Sequence, residues 1–447
     1  MNFAVAASPF VDRCLDMAQS AALPKATDAS IAVVGLGQTG LALASAFANS
    51  GTVYGYDRDP QRLEDSARFL EDRKQEAPKL RFGADPECLV EADVIFVCVP
   101  VQFRHDHKAD EAGLLAATRT VAENMKRGGV VVFEGTFAPG TTEDRCIPQL
   151  EKFSGMRLYG DFHVGYSPEW AGFAQPARRS DDARKIVAGS SPAAADFLAR
   201  LYARIVGESV FQATSIRAAE AARVLETVQR DVNIALINEM MQLFDALDIR
   251  VSEVVAAAGA KWNFQAYFPG LVGGRSLTGD PFHLLNAGRA HGLAMDIVAA
   301  ARSVNERTAN FVADKLHAML APQARDLCGF RVLVLGRSFK DNCPDTRDSK
   351  SFAVMDSLWA RGADVYSYDP VASAGEYEGG RGAVVLDRAE DFAPYDAVVV
   401  AAAHDAFREE FDVFRLAALA PRRAPVVDLR KLFDPELARR HFSYWTV

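Results

Sequence analysis

The chain has 447 residues, 49 % of them hydrophobic, which is too long for one core and enough for two or three packed domains. Its 50 basic and 59 acidic residues leave a formal charge of -9, so it carries no basic field for a nucleic-acid backbone. The apolar start FAVAASPFV is broken by Pro9, Asp12 and Arg13, and no apolar run reaches the roughly 18 residues of a membrane span, so a cytoplasmic protein without membrane contact is expected.

Cys14, Cys88, Cys98, Cys146, Cys328 and Cys343 are widely spaced with no CxxC, which suits a reducing compartment and argues against structural zinc. His105 with His107, and Asp161 with His163, are two-residue clusters in polar stretches. A metal site normally needs at least three convergent ligands, so no metal is expected.

Residues 1–29 read as an N-terminal extension. From Ser30 the order is apolar strand, glycine turn, helix, strand: IAVVGLGQTG, LALASAFANSG, TVYGYDRDP, the alternation of a parallel sheet. VIFVCVP and VVVFEGT continue it, giving a dinucleotide-binding domain over 30–213. Gly35, Gly37 and Gly40 form GxGxxG between strand and helix, where a pyrophosphate approaches backbone at a helix N-terminus. Asp57 ends the next strand, where a ribose hydroxyl sits. Asp57 favours NAD over NADP, although Arg58 beside it leaves the phosphorylated cofactor open.

Near Thr214 the texture changes. TSIRAAEAARVLETVQRDVNIALINEMMQLFDALDI has no Gly or Pro and places Leu225, Val228, Val232, Leu236, Met240 and Leu243 at helical spacing, which predicts one long helix opening a central helical domain over 214–322. Such a helix serves as a core spacer, a homodimer interface, or both. Strand and helix alternate again in FRVLVLGRSFK, DVYSYDP, DAVVVAAA and PVVDLR, so 323–447 reads as a second doubly wound domain. It has only Gly336 at its first strand end and is not assigned a dinucleotide. The fold class is therefore α/β, two Rossmann-like domains joined by a long central helix.

GLGQTGLALA, EGTFAPGTT, GYSPE, QRDVNIALINE, KWNF, FPGLVGG, GDP, GRSFKDNCPDTRDS and VVDLRK together resemble the UDP-glucose and GDP-mannose dehydrogenase family over nearly the whole chain. RDVNIALINE and AGAKWNFQAYFPGLVGG look most like its UDP-N-acetylhexosamine branch. The resemblance implies NAD-dependent oxidation of a sugar's primary alcohol to a carboxylate in two steps, through a covalent thiohemiacetal. It also implies that Val99 and Pro100 line the cofactor, and that Thr136, Glu169 and Asp280 hold and polarise a water. Arg347 would reach the cofactor. Lys261, Phe268, Gly270, Gly273 and Gly274 would form the loop over the sugar, and Phe339, Lys340 and Arg430 would hold the UDP-sugar.

Against that pattern, Ser276 replaces the family's nucleophilic cysteine, Arg223 its catalytic lysine and Thr227 its oxyanion-binding asparagine. Arg275, Trp170 and Gly135 depart from it nearby. A serine hydroxyl needs an adjacent base that a thiol, with a pKa of about 8.5, does not. Arginine supplies charge but no proton transfer. Three readings follow: an oxidoreductase limited to a two-electron oxidation or an epimerisation, a binding pseudoenzyme, or a slow four-electron enzyme using Ser276.

Overall fold

The computed structural model describes residues 21–72, 79–104, 106–168, 184–320, 325–372 and 382–447. They divide into two units. The first comprises residues 1–225 with 282–287, the second residues 226–281 with 288–447. Among the described residues no helix is long and apolar enough to cross a membrane.

The first unit is built on an eight-stranded sheet. Its strands are β1 (Ile31–Val34), β2 (Val53–Tyr56), β3 (Leu80–Gly83), β4 (Val94–Val97), β7 (Val130–Phe133), β8 (His163–Tyr166), β9 (Lys185–Gly189) and β10 (Val210–Gln212). The short antiparallel hairpin of β5 (Gln102–Phe103) and β6 (Ala109–Asp110) follows β4. The sheet order is β10-β9-β8-β7-β4-β1-β2-β3, parallel except between β8 and β9. β1 is apolar throughout because both faces are covered. Ala32 and Val34 enter one core with Leu114 and Val121; Ile31 and Val33 enter the other with Leu43, Phe47 and Phe197.

The second unit has six parallel strands, β11 (Arg331–Leu335), β12 (Asp364–Tyr368), β13 (Ala383–Leu386), β14 (Ala397–Val400), β15 (Pro425–Asp428) and β16 (Ser443–Thr446), in the order β13-β12-β11-β14-β15-β16. In both sheets the first strand lies between the second and the one that starts the other half. This is the switch point of doubly wound folds, where ligands sit at the carboxyl ends of strands.

The helices that matter below are α1 (Gln38–Ala48), α2 (Pro192–Val206), α3 (Ile216–Ala246), α4 (Arg275–Ala290) and α5 (Asp296–Leu320). α3 is the long helix expected from the sequence, but part of its apolar stripe is exposed and several of its polar residues are buried. Glu220, Thr227, Asp231 and Asn238 are fully buried, while Leu225, Leu236, Leu243 and Leu247 stand in solvent. Half of the expected stripe, Leu225, Leu236 and Leu243, is therefore surface, while Val228 is buried.

One buried ion pair ties the first sheet together. Lys185 Nζ, at the start of β9, donates to both carboxylate oxygens of Glu134 (2.9 and 3.0 Å) and to the Pro168 carbonyl (2.6 Å). The Tyr202 hydroxyl of α2 donates to the same carboxylate. Both charged side chains are sealed from water, so removing one partner strands the other. Lys185→Met should lower stability by about 3–5 kcal/mol. Arg119→Ala, which breaks a mostly exposed pair with Glu123, should change it by less than about 1 kcal/mol. Urea denaturation of both variants checks the contrast.

Candidate functional site

The cofactor end of the first unit is shaped by what its glycines omit. Gly35 follows β1 with φ +91°, and a Cβ there would meet the Cys98 carbonyl oxygen at 3.0 Å and Val99 at 3.1 Å. Gly40, inside α1, would place a Cβ 1.9 Å from the Gly35 carbonyl oxygen, so only glycine lets the helix approach the turn this closely. Gly37 caps α1 without a side-chain bond, and nothing lies within 4 Å of where its Cβ would be. Open space over uncapped helical amides fits a pyrophosphate. Asp57 accepts from the Leu36 amide (2.9 Å) through one oxygen and from the Asp59 amide (3.0 Å) through the other, leaving lone pairs for a ribose hydroxyl. Arg58 and Pro100 are exposed and Val99 half-buried.

Thr136, two residues past Glu134, is half-buried. Arg223 Nε donates to its hydroxyl at 3.1 Å. The Gly135 carbonyl accepts from the Tyr166 hydroxyl at 2.7 Å. On the far side of the turn, Glu220 accepts from the amides of Gly140 (2.6 Å) and Thr142 (2.9 Å). Burial pushes the Glu220 carboxyl up to about 7, against those hydrogen bonds. Glu169 and Trp170, like His105, lie outside the described residues.

In the second unit, the segment carrying Ser276 and Asp280 is helical. Ser276 is half-buried in the first turn of α4 and Asp280 is buried one turn on, at the i, i+4 spacing that shares a face. Pro281 lies inside α4 and has no N–H for the Leu277 carbonyl. Arg302 of α5 supplies the donor instead, at 2.9 Å. Arg302 also pairs with buried Asp231 at 2.5 Å, and Asn305 links Asp231 to Asn238. Asn238 holds both backbone groups of Gly270, its N–H at 2.8 Å and its carbonyl at 3.0 Å. The buried polar face of α3 thus fixes the start of the glycine segment. Its end is fixed by the Gly274 amide on the Asp348 carbonyl, at 3.1 Å, and by the Phe339 ring, which a Cβ on Gly274 would strike at 2.5 Å. Gly273 is equally confined, by Asp348 and Phe339. Thr227 is buried; Lys261 and Phe268 are exposed.

Lys340 rests over the Phe339 ring, its Nζ 5.4 Å from the centroid. Arg430 pairs with Asp341, and Arg347 forks onto Asp345. The turn after β11 mirrors the one after β1: the Arg337 amide donates to Asp369 at 2.7 Å, as the Leu36 amide does to Asp57. Asp369, however, also accepts from Ser338, Val371, Ala372 and His404. Burial alone would raise its pKa, but His404 and the amides hold it well below the usual carboxylate range.

The sequence reading missed Lys185, Tyr202, Asn238, Arg302, His404 and His283. Apart from Asn238, which stands inside QRDVNIALINE, they lack a motif, because their roles come from partners far away in the chain.

A doubly wound sheet with a glycine cradle after its first strand and an aspartate at the end of its second is the arrangement of a dinucleotide-binding domain. Three domain models of the UDP-glucose/GDP-mannose dehydrogenase family match the chain, the NAD binding domain over residues 29–206, the central domain over 217–307 and the UDP binding domain over 333–435. The chain belongs to the UDP-glucose/GDP-mannose dehydrogenase family, with NAD as cofactor and a UDP-sugar as substrate. It is 34 % identical over 389 residues to UDP-N-acetyl-D-glucosamine 6-dehydrogenase of Salmonella typhi, covering 86 % of this chain and 91 % of that one. The enzyme of that name from Pseudomonas aeruginosa is 34 % identical over 416 residues, 92 % of this chain and 98 % of its own. The solved UDP-D-ManNAc dehydrogenase of Pyrococcus horikoshii superposes with a TM-score of 0.79 at 27 % identity, covering 94 % of this chain and 99 % of that one.

Gly40→Val forces α1 away from the turn, so NAD affinity should fall at least about tenfold while UDP affinity holds. Isothermal titration with each ligand checks this.

Proposed function

We propose that the chain carries out a two-electron oxidation of a UDP-sugar, a UDP-N-acetylhexosamine by its likeness to the Salmonella and Pseudomonas enzymes, or epimerises it by returning the hydride. The observation that carries this reading is the Arg223 contact to the Thr136 hydroxyl. It sets a permanent cation where the resemblance expects a lysine. A guanidinium steadies a developing alkoxide but neither takes nor gives a proton near neutrality. NAD, when bound, accepts the hydride, and the hydroxyl proton leaves to water; the resemblance gives the polarising roles to Thr136, Glu169 and Asp280.

Ser276 supports the same limit. It stands in the first turn of α4, and an unactivated hydroxyl is a poor partner for trapping an aldehyde as a second hydride donor. The second oxidation therefore does not follow the first. The substrate is held by Lys340, Phe339 and Arg430 at its nucleotide and by Lys261, Phe268 and the segment 270–274 at its sugar, with Gly35, Gly37, Gly40, Asp57 and Arg347 serving the cofactor. With the division into 30–213, 214–322 and 323–447, all of these cofactor residues but Arg347 fall in the first domain. The product enters polysaccharide assembly in the cytoplasm.

Incubation with NAD and a panel of UDP-sugars, followed by mass spectrometry, should give one NADH per converted sugar, or a changed sugar with no net NADH. Uronic acid with two NADH each overturns the reading, and loss of that product in Ser276→Ala would assign the serine as nucleophile. Binding of both ligands without turnover identifies a pseudoenzyme.

We also propose a homodimer through α3, supported by the exposed stripe of Leu225, Leu236, Leu243 and Leu247, since contiguous apolar surface on a soluble protein marks an interface. Light scattering at micromolar concentration should give twice the chain mass, and Leu236→Lys with Leu243→Lys should halve it.

A further inference from the structure

Beyond β11 the chain makes a turn from Arg337 to Asn342, and the ends of two neighbouring strands hold it. At its start the Arg337 and Ser338 amides donate to Asp369 Oδ2, at 2.7 and 3.1 Å. At its finish the Asn342 amide donates to His404 Nδ1 at 2.8 Å. His404 lies beyond β14 with its ring sealed from water, and its Nε2 is 3.1 Å from the same Asp369 oxygen. One imidazole therefore joins the two ends of the turn. A backbone amide can only donate, so Nδ1 carries no proton, and the ring's N–H is on Nε2 facing the carboxylate. Asp369 is itself immobilised, because its other oxygen accepts from the Val371 and Ala372 amides at 2.8 and 2.9 Å.

The finish of the turn needs such a hold. Asn342 has φ +56°, in the left-handed region that costs a residue with a Cβ. Its side chain and Asp405 exchange hydrogen bonds at 2.8 and 2.7 Å, both exposed to competing water. Asp341 accepts from the Ala403 amide at 2.8 Å and from Arg430. Residues 403–405 thus grip 341–342 at every step, and His404 supplies the grip that water cannot reach.

We propose that His404 is a positioning residue for the UDP moiety, setting the turn on which Phe339 and Lys340 stand. This rests on the reading above in which Phe339 and Lys340 hold the nucleotide. With the ring in place the turn is ordered before the ligand arrives. Without it the ordering falls to the ligand, which then binds more weakly. His404 touches no ligand in this scheme and transfers no proton.

Two variants of the full chain separate this role from packing. His404→Leu fills the space and removes the acceptor, whereas His404→Asn puts an amide oxygen where Nδ1 stood and gives up the ring. By isothermal titration His404→Leu should weaken UDP binding by roughly tenfold with NAD affinity within about twofold, and His404→Asn should recover most of the UDP affinity. Equal loss in both variants, or matching losses for UDP and NAD, overturns the proposal. Lys340→Ala separates it from the reading on which it rests. UDP affinity lost in Lys340→Ala but kept in His404→Leu removes the role of His404 alone; affinity kept in both removes the assignment of the turn to the nucleotide as well. Should His404→Leu fail to fold, nitrogen-15 NMR of the wild-type ring decides. It should show a neutral Nε2–H tautomer with a coupling from Nδ1 across the hydrogen bond to the Asn342 amide, and UDP should leave that coupling in place. An Nδ1–H tautomer, or a coupling that forms only when UDP is added, sinks the idea.

Discussion

A carboxylate and an ammonium group with no access to water sit at the carboxyl end of the first sheet, and the site's geometry depends on their staying paired. Glu134 ends β7, Lys185 begins β9, and Lys185 also holds the carbonyl of Pro168 beyond β8, so one cation gathers three strand ends. Left alone, either charge would face a desolvation penalty of several kcal/mol. Together with Tyr202 they instead fix the backbone from which Gly135 and Thr136 emerge. Glu220 repeats the device at the far end of the turn, with two amides in place of a cation.

The parts of the fold legible in the sequence are those set by local rules. GxGxxG between an apolar strand and a helix, and an aspartate at the next strand end, need only neighbours to act, and Gly35, Gly40 and Asp57 stand where those rules place them. The extent of α3 was equally plain from its unbroken helical spacing. Its orientation was not, because Leu225 and Leu236 have the same periodicity whether they face a core or a partner. The buried Glu220, Asp231 and Asn238 look like solvated positions until their tertiary partners are known.

The stretch holding Ser276 misleads for another reason. Glycine and proline in GGRSLTGDP are poor helix formers, yet the chain is helical there, and Arg302 donates to the carbonyl that Pro281 leaves open. A distant side chain thus satisfies the group that local propensity leaves unpaired. His283 is hidden in the same way. In sequence it is one of eight histidines, and only the fold brings Phe103 of the 102–110 hairpin edge-on against its ring.

The aspartates at the ends of β2 and β12 show how one scaffold yields two kinds of nucleotide end. Asp57 keeps acceptor capacity for a ribose, whereas Asp369 spends its own on Ser338, Val371, Ala372 and His404. Restoring a glycine fingerprint after β11 would therefore not create a second dinucleotide pocket. A redesign would first have to dismantle the bonds that hold the turn, and with them the segment from Phe339 to Asn342, whose amide donates to His404. The second half is locked into its present ligand class by its own backbone.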